Sequence, residues 1–318
     1  MNLAPGAVNA LQAAVVLFFS PLLAGVAGKL KGWTESRRGP PVLQPYYDLR
    51  KYLAKETLLP EGSSRVFVLT PFIAFGAYLV ISVVVPILTP YPLLYASMVD
   101  FLGGGLLFGL AGAVTLLAAL DSGNNFSALG ASRAASFAAF GEPTLIVVFF
   151  GVAVISGTDN PYVTNNVLAS SLATYLSPTH LLIVAAFFLL LLAETGRLPV
   201  ESSGLMELGF IDEGRGYAHS GRLLGILRWN GWLKQFLLLS VFVNVFALPW
   251  GMDGAPTVPS ALFNLALLAG KLLLVLGVLA LLEATLAKVR LFKVRDFLAL
   301  SFALAILSVF VFVAVGVA

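Results

Sequence analysis

Residues 101–120 read FLGGGLLFGLAGAVTLLAAL, a run of twenty positions without a charged side chain. A transmembrane α-helix needs about 20 mostly apolar residues, because the hydrocarbon layer is about 30 Å thick and each helical residue adds about 1.5 Å. Seven other stretches have a similar character: 7–27, 67–88, 126–156, 180–193, 232–249, 261–287 and 297–317. The sequence therefore predicts an all-α integral membrane protein with about eight transmembrane helices, forming a single polytopic domain over residues 1–318.

The composition supports this assignment. Hydrophobic residues make up 59% of the 318 residues and charged residues only 11%, against about 25% charged in an average soluble domain. A transmembrane β-barrel would show short segments of alternating polarity, and this chain does not. We therefore expect most of the protein surface to contact lipid. We expect no nucleic-acid partner.

The basic residues indicate how the chain is oriented. Of the 19 Lys and Arg residues, eighteen are assigned to the first, third, fifth and seventh connections, with Arg133 and Lys234 at the adjoining ends of spans, and only Lys271 lies deep inside a span. Positively charged loops stay on the cytoplasmic side of a membrane. We therefore expect a multi-pass protein of the cytoplasmic (inner) membrane of a prokaryote, with both termini outside and the main charged loops cytoplasmic.

The first connection contains a candidate amphipathic helix. Tyr46, Leu49, Tyr52 and Leu53 recur at helical spacing, while the charged side chains fall between them. This pattern is typical of a short helix that lies on the membrane surface. A solvated linker is the alternative interpretation.

Charged residues at membrane depth are candidates for function, because burying them in lipid is costly. Glu142 is nine residues beyond Arg133, about 13 Å along a helix and near the middle of the membrane. Glu283 should lie about 7 Å inside the cytoplasmic end of its span, where it could also extend its carboxylate to the surface. Lys271, about 18 Å from Glu283 on another helical face, needs a partner on another helix or a water-filled cavity.

The fifth connection is rich in charge. It holds Glu194, Glu201, Glu207 and Glu213 among its acids, with Arg197 three residues after Glu194. An ion pair at the membrane edge fits the spacing of Glu194 and Arg197, and acids that continue inward from such a loop would make a proton path. A solvated loop is the alternative, since exposed loops are also charged.

The sequence offers few ligands for a redox centre. It contains no cysteine and only two histidines, His180 and His219, which the predicted topology places on opposite faces of the membrane. They could not together ligate one haem. We therefore expect no cofactor bound by this chain.

The sequence contains several recognisable motifs: the tripeptide RGP at 38–40, LQPYYD at 43–48 with Lys51, LGA at 129–131 with RAA at 133–135, Glu142, and AETGR at 193–197. Together they resemble the membrane subunit of respiratory complex I that forms the quinone chamber. The charged segment after Glu194, the tripeptide SGR at 220–222 and the segment 283–292 are more similar to the homologous anchor subunit of group 4 membrane-bound nickel-iron hydrogenases, including formate hydrogenlyases. His219 stands where that family usually has a tyrosine.

The resemblance implies a fold of eight spans and a subunit without a redox centre of its own. It implies peripheral partners, namely hydrogenase-like large and small subunits and an iron-sulfur subunit, which carry iron-sulfur clusters and a nickel-iron centre. It also implies antiporter-like membrane subunits. By resemblance, the ion-coupling residues would be Glu142, Glu194, Glu201, Glu207, Glu213, Glu283 and Lys271. The docking surface and cavity roof would be formed by Arg38, Asp48, Lys51, Arg133 and Arg197.

The expected function is therefore to anchor the peripheral arm of a hydrogenase-type oxidoreductase and to couple its electron transfer to proton or sodium translocation. No complete active site is expected in this chain. One alternative is a quinone-binding membrane subunit of a complex I-like NADH or ferredoxin:quinone oxidoreductase. A second is a stand-alone secondary transporter, although such proteins often show repeated halves, which are not evident here.

Overall fold

A computed structural model describes residues 5–91, 100–196, 214–255, 257–286 and 293–316. These residues form helices and loops, and no extended strand occurs in these five segments. The α-helices are α1 (Pro5–Thr34), α2 (Gln44–Ala54), α3 (Arg65–Val84), α4 (Phe101–Asp121), α5 (Asn125–Ser156), α6 (Pro161–Ser170), α7 (Leu172–Tyr175), α8 (Pro178–Glu194), α9 (Gly221–Val241), α10 (Val258–Thr285) and α11 (Val294–Gly316).

Each of the eight predicted apolar stretches coincides with a helix. Six helices are long and apolar enough to cross a membrane: Gly6–Thr34, Arg65–Val83, Phe101–Asp121, Asn125–Ser156, Val258–Thr285 and Val294–Ala314. The apolar helix Pro178–Glu194 is shorter, and α9 continues into a π-helical segment, Phe242–Ala247. The chain is thus an all-helical, multi-pass membrane protein with six candidate spans among the described residues.

Local sequence signals determine where the helices begin. Ser64, Asp100 and Asn124 each accept a hydrogen bond from a backbone N–H in the first turn of the helix that follows. Such side chains replace the hydrogen bonds that the first turn of a helix lacks. The helix α5 ends at Gly157, whose φ of 70° is readily accessible to glycine.

Two helices differ in length from their predicted spans. The stretch predicted over 67–88 ends as a helix at Val84, because Val85 precedes Pro86 and adopts an extended conformation. The helix predicted to begin at 232 begins at Gly221, eleven residues earlier, since its first turns carry charged residues that lower the hydropathy without opposing helix formation.

The second half of α9 lies at the centre of the bundle. Every residue from 236 to 246 is buried, as expected of a helix that is apolar on all sides. Phe246 contacts the rings of Phe101, Phe149 and Phe187. The neighbouring helices therefore pack around α9, and its residues line the space between them.

Eight of the helices alternate in direction along the chain, namely α1, α3, α4, α5, α8, α9, α10 and α11. The end of the bundle that holds the first connection also holds the C-terminus of α8 and the N-terminus of α9, and we call it the basic end. Its contacts include a hydrogen bond from the Leu58 N–H to Ser220 Oγ of 2.7 Å. The other end, which holds α6 and α7, is called the opposite end.

Candidate functional site

A cavity of about 90 Å³ lies among α4, α5, α8, α9 and α11, and this volume is enough for several water molecules. Its charged lining residues are Glu142, Glu194, Arg215 and Lys234. The other lining residues are apolar or glycine: Phe108, Gly109, Gly112, Leu116, Ala134, Phe137, Ala138, Leu145, Ala193, Leu238, Val294 and Leu298. Two acids and two bases thus share one internal space.

Glu194 and Lys234 form an ion pair in this cavity. Lys234 Nζ on α9 lies 2.6 Å from Glu194 Oε2 at the end of α8, and their side chains are 25% and 20% exposed. A charge-assisted hydrogen bond of this length is strong when it is shielded from water. The pair joins two helices that are separated by a long connection in the sequence.

Glu142 is placed on the α5 side of the cavity, against two glycines of α4. A Cβ at Gly109 would lie 3.5 Å from Glu142 Oε2, and one at Gly112 would lie 3.2 Å from Oε1. Within the described segments, no hydrogen bond or salt bridge to the Glu142 carboxylate occurs. Its electrostatic neighbours are Glu194 and Lys234.

The residue before Glu142 is fitted to Glu194. A Cβ at Gly141 would lie 2.5 Å from Glu194 Oε1, closer than real Cβ contacts allow. Any larger residue at 141 would displace the Glu194 carboxylate. In the dipeptide Gly141-Glu142, the glycine therefore leaves room for Glu194, and the next residue supplies the second acid of the cavity.

Arg215 and Tyr78 complete the electrostatic surroundings. Arg215 lies in a 3-10 turn, Gly214–Gly216, just before α9. Tyr78 on α3 is 5% exposed and interacts with the charges of Lys234, Arg215 and Glu194. The described lining of the cavity therefore carries two negative and two positive side chains.

Lys271 lies outside this cavity, in a hydrogen-bonded group at the opposite end. Its Nζ donates to the Leu248 carbonyl at 2.6 Å and to Asn244 Oδ1 at 3.4 Å. The prediction that Lys271 finds a partner on another helix is confirmed. We name this group the amide network, comprising Gln12, Tyr162, Asn165, Asn244, Asn264 and Lys271.

The amide network binds backbone carbonyls at helix ends. Gln12 Nε2 donates to the carbonyls of Ser82 and Val85 at 2.7 and 2.8 Å, where α3 ends. Gln12 thus satisfies carbonyl groups that the end of α3 leaves without intrahelical partners. Asn264 Nδ2 donates at 2.8 Å to the Leu88 carbonyl, in the loop that follows α3.

Glu283 also lies apart from the cavity. Its Oε2 is 3.8 Å from Lys31 Nζ on α1, and the Glu283 side chain is 5% exposed. Of the predicted ion-coupling residues that the structure describes, Glu142 and Glu194 line the same cavity, whereas Glu283 and Lys271 lie elsewhere. Arg197, Glu201, Glu207 and Glu213 lie outside the described residues.

Four of the predicted docking residues are described, and they lie at the basic end: Arg38, Asp48, Lys51 and Arg133. The predicted short helix is present as α2, and it packs against α1 and α9. Arg38 and Lys51 are exposed. Asp48 is half-buried, and its carboxylate accepts a hydrogen bond of 2.9 Å from the Gln44 side chain. Arg133 is half-buried on α5, at the same end.

Glycines allow the first connection to approach the bundle closely. A Cβ at Gly221, which has a φ of +50°, would lie 2.0 Å from the Glu56 carbonyl oxygen. A Cβ at Gly25 on α1 would lie 1.8 Å from the Val42 carbonyl oxygen. The connection is therefore held by backbone contact with α1 and α9.

The two histidines are at opposite ends of the bundle, as expected. His219 is 4% exposed and stacks on Phe67 with ring centroids 4.2 Å apart. Burial lowers the pKa of His219 to about 4, against a smaller opposing effect of the Arg215 backbone. Within the described part of the chain, no group of three or more His, Cys, Asp or Glu side chains could hold a metal ion.

Fold and site together define a multi-pass helical membrane protein with ionisable residues around an internal cavity. The chain belongs to the family described as NADH dehydrogenase, whose model matches residues 7–314. It is 32% identical over 285 residues to formate hydrogenlyase subunit 4 of Escherichia coli (strain K12), covering 88% of this chain and 90% of that one. Hydrogenase-4 component C of the same strain is 29% identical over 303 residues, covering 93% and 92%.

A solved structure has the same fold. This structure is described as the membrane-bound sulfane sulfur reductase, an archaeal respiratory membrane complex. The matching chain superposes with a TM-score of 0.80 at 21% sequence identity, and the match covers 96% of this chain and 99% of that one. The predicted resemblance to hydrogenase-type and complex I membrane subunits is confirmed by these relationships. The chain is thus a membrane subunit related to those of multisubunit oxidoreductase complexes.

Sequence reasoning missed Lys234 and Gly141. Lys234 was counted among the basic residues of the fifth connection, although it lies more than three helical turns beyond the start of α9 at Gly221. Gly141 could have been noticed because it lies beside an acid within an apolar helix. Hydropathy does not, however, show that Glu194 of another helix packs against this glycine.

Proposed function

We propose that this chain anchors the peripheral arm of a hydrogenase-type oxidoreductase and couples its electron transfer to ion translocation through buried carboxylates. The relatives named formate hydrogenlyase subunit 4 and hydrogenase-4 component C support the type of complex. The partners would be hydrogenase-like large and small subunits, an iron-sulfur subunit and antiporter-like membrane subunits.

The proposed coupling role is supported by one observation. Glu142, whose carboxylate has no hydrogen-bond partner in the described segments, shares a cavity with the Glu194–Lys234 ion pair. A carboxylate of this kind can bind and release an ion, whereas a fully hydrogen-bonded one is held in a single state. The cavity of about 90 Å³ is far below the roughly 300–1,000 Å³ of small-molecule pockets, so it suits water and ions.

The proposed path leads from Glu201, Glu207 and Glu213 through Glu194 to Glu142. Glu283 and Lys271 belong to the same proposed set, although the hydrogen bonds of Lys271 also give it a structural role. Eight spans, with both termini outside and the basic end cytoplasmic, would place this path in contact with the peripheral arm. The exposed side chains of Arg38 and Lys51 would contribute to its docking surface.

The test is the Glu142→Gln variant of the purified complex in proteoliposomes, driven by reduced methyl viologen. We expect hydrogen production and subunit composition to be retained and ion translocation to fall at least tenfold, which corresponds to about 1.4 kcal/mol. Glu61→Gln, which changes an exposed acid of the first connection, is the matched control. Unchanged translocation in the Glu142→Gln complex would exclude the path.

The same preparation separates the alternatives. Co-purifying hydrogenase-like subunits would support the anchor role. Turnover that requires a quinone would instead indicate a quinone-reactive subunit, and transport by this chain alone would indicate a secondary transporter.

A further inference from the structure

The helix α1 is longer than the hydrocarbon layer of a membrane is thick. Its 30 residues, Pro5–Thr34, measure about 45 Å at 1.5 Å per residue, and the hydrocarbon layer measures about 30 Å. Because the apolar stretch predicted for this helix is 7–27, residues 28–34 extend about 10 Å past it. The last two turns of α1 therefore lie at the depth of the phospholipid headgroups.

Three side chains are gathered at this end of the helix, and we call Lys29, Trp33 and Arg37 the α1 corner. Lys29 Nζ lies 5.9 Å from the centroid of the Trp33 ring and donates a hydrogen bond of 2.7 Å to the Arg38 carbonyl. The Arg37 N–H donates to the Gly32 carbonyl at 2.7 Å, which keeps Arg37 beside the last turn of α1. Two cations and an indole ring are thus held at one point of the headgroup layer.

The α1 corner has unused binding capacity. Trp33 is 63% exposed, and Arg37 is also exposed. Among the described residues, neither the Trp33 indole N–H nor the Arg37 guanidinium has a hydrogen-bond or ion-pair partner. By contrast, Nζ of the nearby Lys31 lies 3.8 Å from Glu283 Oε2. Trp33 and Arg37 are therefore able to bind a group from outside the described chain.

The surface next to the α1 corner lies at the depth of lipid. The Tyr46 hydroxyl donates a hydrogen bond to the Phe18 carbonyl, so the start of α2 is level with the apolar part of α1. On α2, Leu43 and Tyr47 are 49% and 57% exposed. Exposed apolar side chains at this depth are suited to contact with acyl chains, whereas a peripheral protein approaches from the aqueous side.

The partner that this chemistry fits is an anionic phospholipid. Clusters of basic residues directly after a transmembrane helix attract anionic headgroups, and residues 28–40 contain four basic side chains and one acid, Glu35. An arginine guanidinium can bind two phosphate oxygens at once. Tryptophan is enriched where headgroups meet acyl chains, because its ring is apolar and its N–H is polar.

We propose that the α1 corner binds the headgroup phosphate of an anionic phospholipid, with Arg37 and Lys29 contacting the phosphate and Trp33 lying against the glycerol and the upper acyl chain. The acyl chains then run along Leu43 and Tyr47 of α2. This site is separate from the cavity and does not depend on the proposed ion coupling.

The test uses the purified complex in nanodiscs that contain equal amounts of phosphatidylglycerol and phosphatidylcholine. In one preparation the phosphatidylglycerol carries a photoreactive diazirine, and in the other the phosphatidylcholine carries it. Labelled peptides are identified by mass spectrometry. A Lys or Arg near an anionic lipid changes its binding about fivefold. With two cations in the α1 corner, we expect phosphatidylglycerol to label residues 28–40 at least about tenfold more than phosphatidylcholine does.

Removal of single charges tests which residues form the site. In the Arg37→Gln complex, and likewise in Lys29→Gln, we expect the preference for phosphatidylglycerol to fall about fivefold, because each change removes one cation from the phosphate. Arg37→Lys keeps the charge and should retain most of the preference. The matched control is Arg65→Gln, which removes an exposed cation of the same connection at the start of α3 and should leave the labelling of residues 28–40 unchanged.

Any of three results would overturn the proposal. They are equal labelling of residues 28–40 by the two lipids, a preference for phosphatidylglycerol that survives in Arg37→Gln, and labelling that occurs only after the peripheral arm is removed. The last result would assign the α1 corner to a protein contact. If Lys29→Gln fails to assemble because it loses the bond to the Arg38 carbonyl, Arg37→Gln decides, since its side chain has no partner to lose among the described residues.

Discussion

The cavity and the amide network bury polar side chains within the same bundle but satisfy them in different ways. In the amide network, Lys271 donates to the Leu248 carbonyl at 2.6 Å and Asn244 Nδ2 donates to the Pro86 carbonyl at 2.7 Å. In the cavity, Glu142 faces open space of about 90 Å³. The amide network is therefore suited to holding helix ends, and the cavity to exchanging an ion with water.

The difference shows that burial of a polar residue in a membrane protein does not by itself indicate function. Side chains that complete the hydrogen bonds of helix ends stabilise one conformation. A carboxylate next to water and to a balanced set of charges can change its protonation without breaking the fold. Four substitutions test this difference between the cavity and the amide network.

The largest effect is expected for Gln12→Ala in the amide network. The change removes the side-chain partner of the Ser82 carbonyl and of the Leu88 N–H, each costing about 1–3 kcal/mol when buried and unpaired. The Val85 carbonyl loses Gln12 but keeps the Tyr162 hydroxyl at 3.3 Å. We expect the thermal midpoint of the solubilised complex to fall clearly, with normal translocation in the fraction that assembles. The control is Asn9→Ala, one turn earlier on α1, which removes a buried amide without a hydrogen bond in the described structure and should have little effect. Impaired translocation in intact Gln12→Ala complexes would show that the amide network takes part in coupling and is not purely structural.

A smaller effect is expected at acidic pH from His219. Its pKa is about 4 in the folded chain because of burial, against 6.5 in an unfolded one. Its contribution to stability is therefore full above about pH 6.5 and is lost as the pH falls towards 4, with about 2 kcal/mol lost by pH 5. We expect His219→Tyr, which removes the imidazole and keeps an aromatic ring, to reduce the loss of thermal stability between pH 7 and pH 5. An equal loss in both proteins would show that another group is responsible.

The third change acts on the cavity without removing a charge. Gly141→Ala would place a Cβ 2.5 Å from Glu194 Oε1, so the carboxylate must leave the position in which it contacts Lys234. We expect translocation to fall about tenfold, about 1.4 kcal/mol in barrier height, with little change in thermal stability. The matched control is Gly277→Ala on α10, where a Cβ would meet nothing within 4 Å. Normal translocation in Gly141→Ala would mean that the Glu194–Lys234 geometry is not limiting.

The smallest effect is expected for Ser301→Ala on α11. Ser301 Oγ donates to the Ala186 carbonyl of α8 at 2.7 Å, and α11 also contributes Leu298 to the cavity wall. Single hydrogen bonds between membrane helices contribute about 0.6 kcal/mol on average. A small decrease in thermal midpoint with unchanged translocation is expected, and a large loss of translocation would show that this bond, rather than packing, positions the cavity wall.

Much of the fold could be predicted from the sequence. The positions of the eight long helices follow from runs of apolar residues, and the short helix α2 follows from the spacing of its tyrosines and leucines. The helix ends were less predictable, as at 84 and 221, because proline geometry and capping compete with hydropathy there. Glu142 and Glu194 were both predicted as site residues, and the cavity contains both.

The amino-acid sequence by itself determined that this protein is helical, lies in a membrane and belongs to a family of oxidoreductase membrane subunits, because hydropathy, charge and motifs are properties of local segments. Only the tertiary structure decided that Lys234 meets Glu194, that Gly141 makes room for that carboxylate, and that Lys271 binds a carbonyl at a helix end. Such pairings depend on which helix faces pack together, and residues distant in the sequence become neighbours only when those faces are in contact.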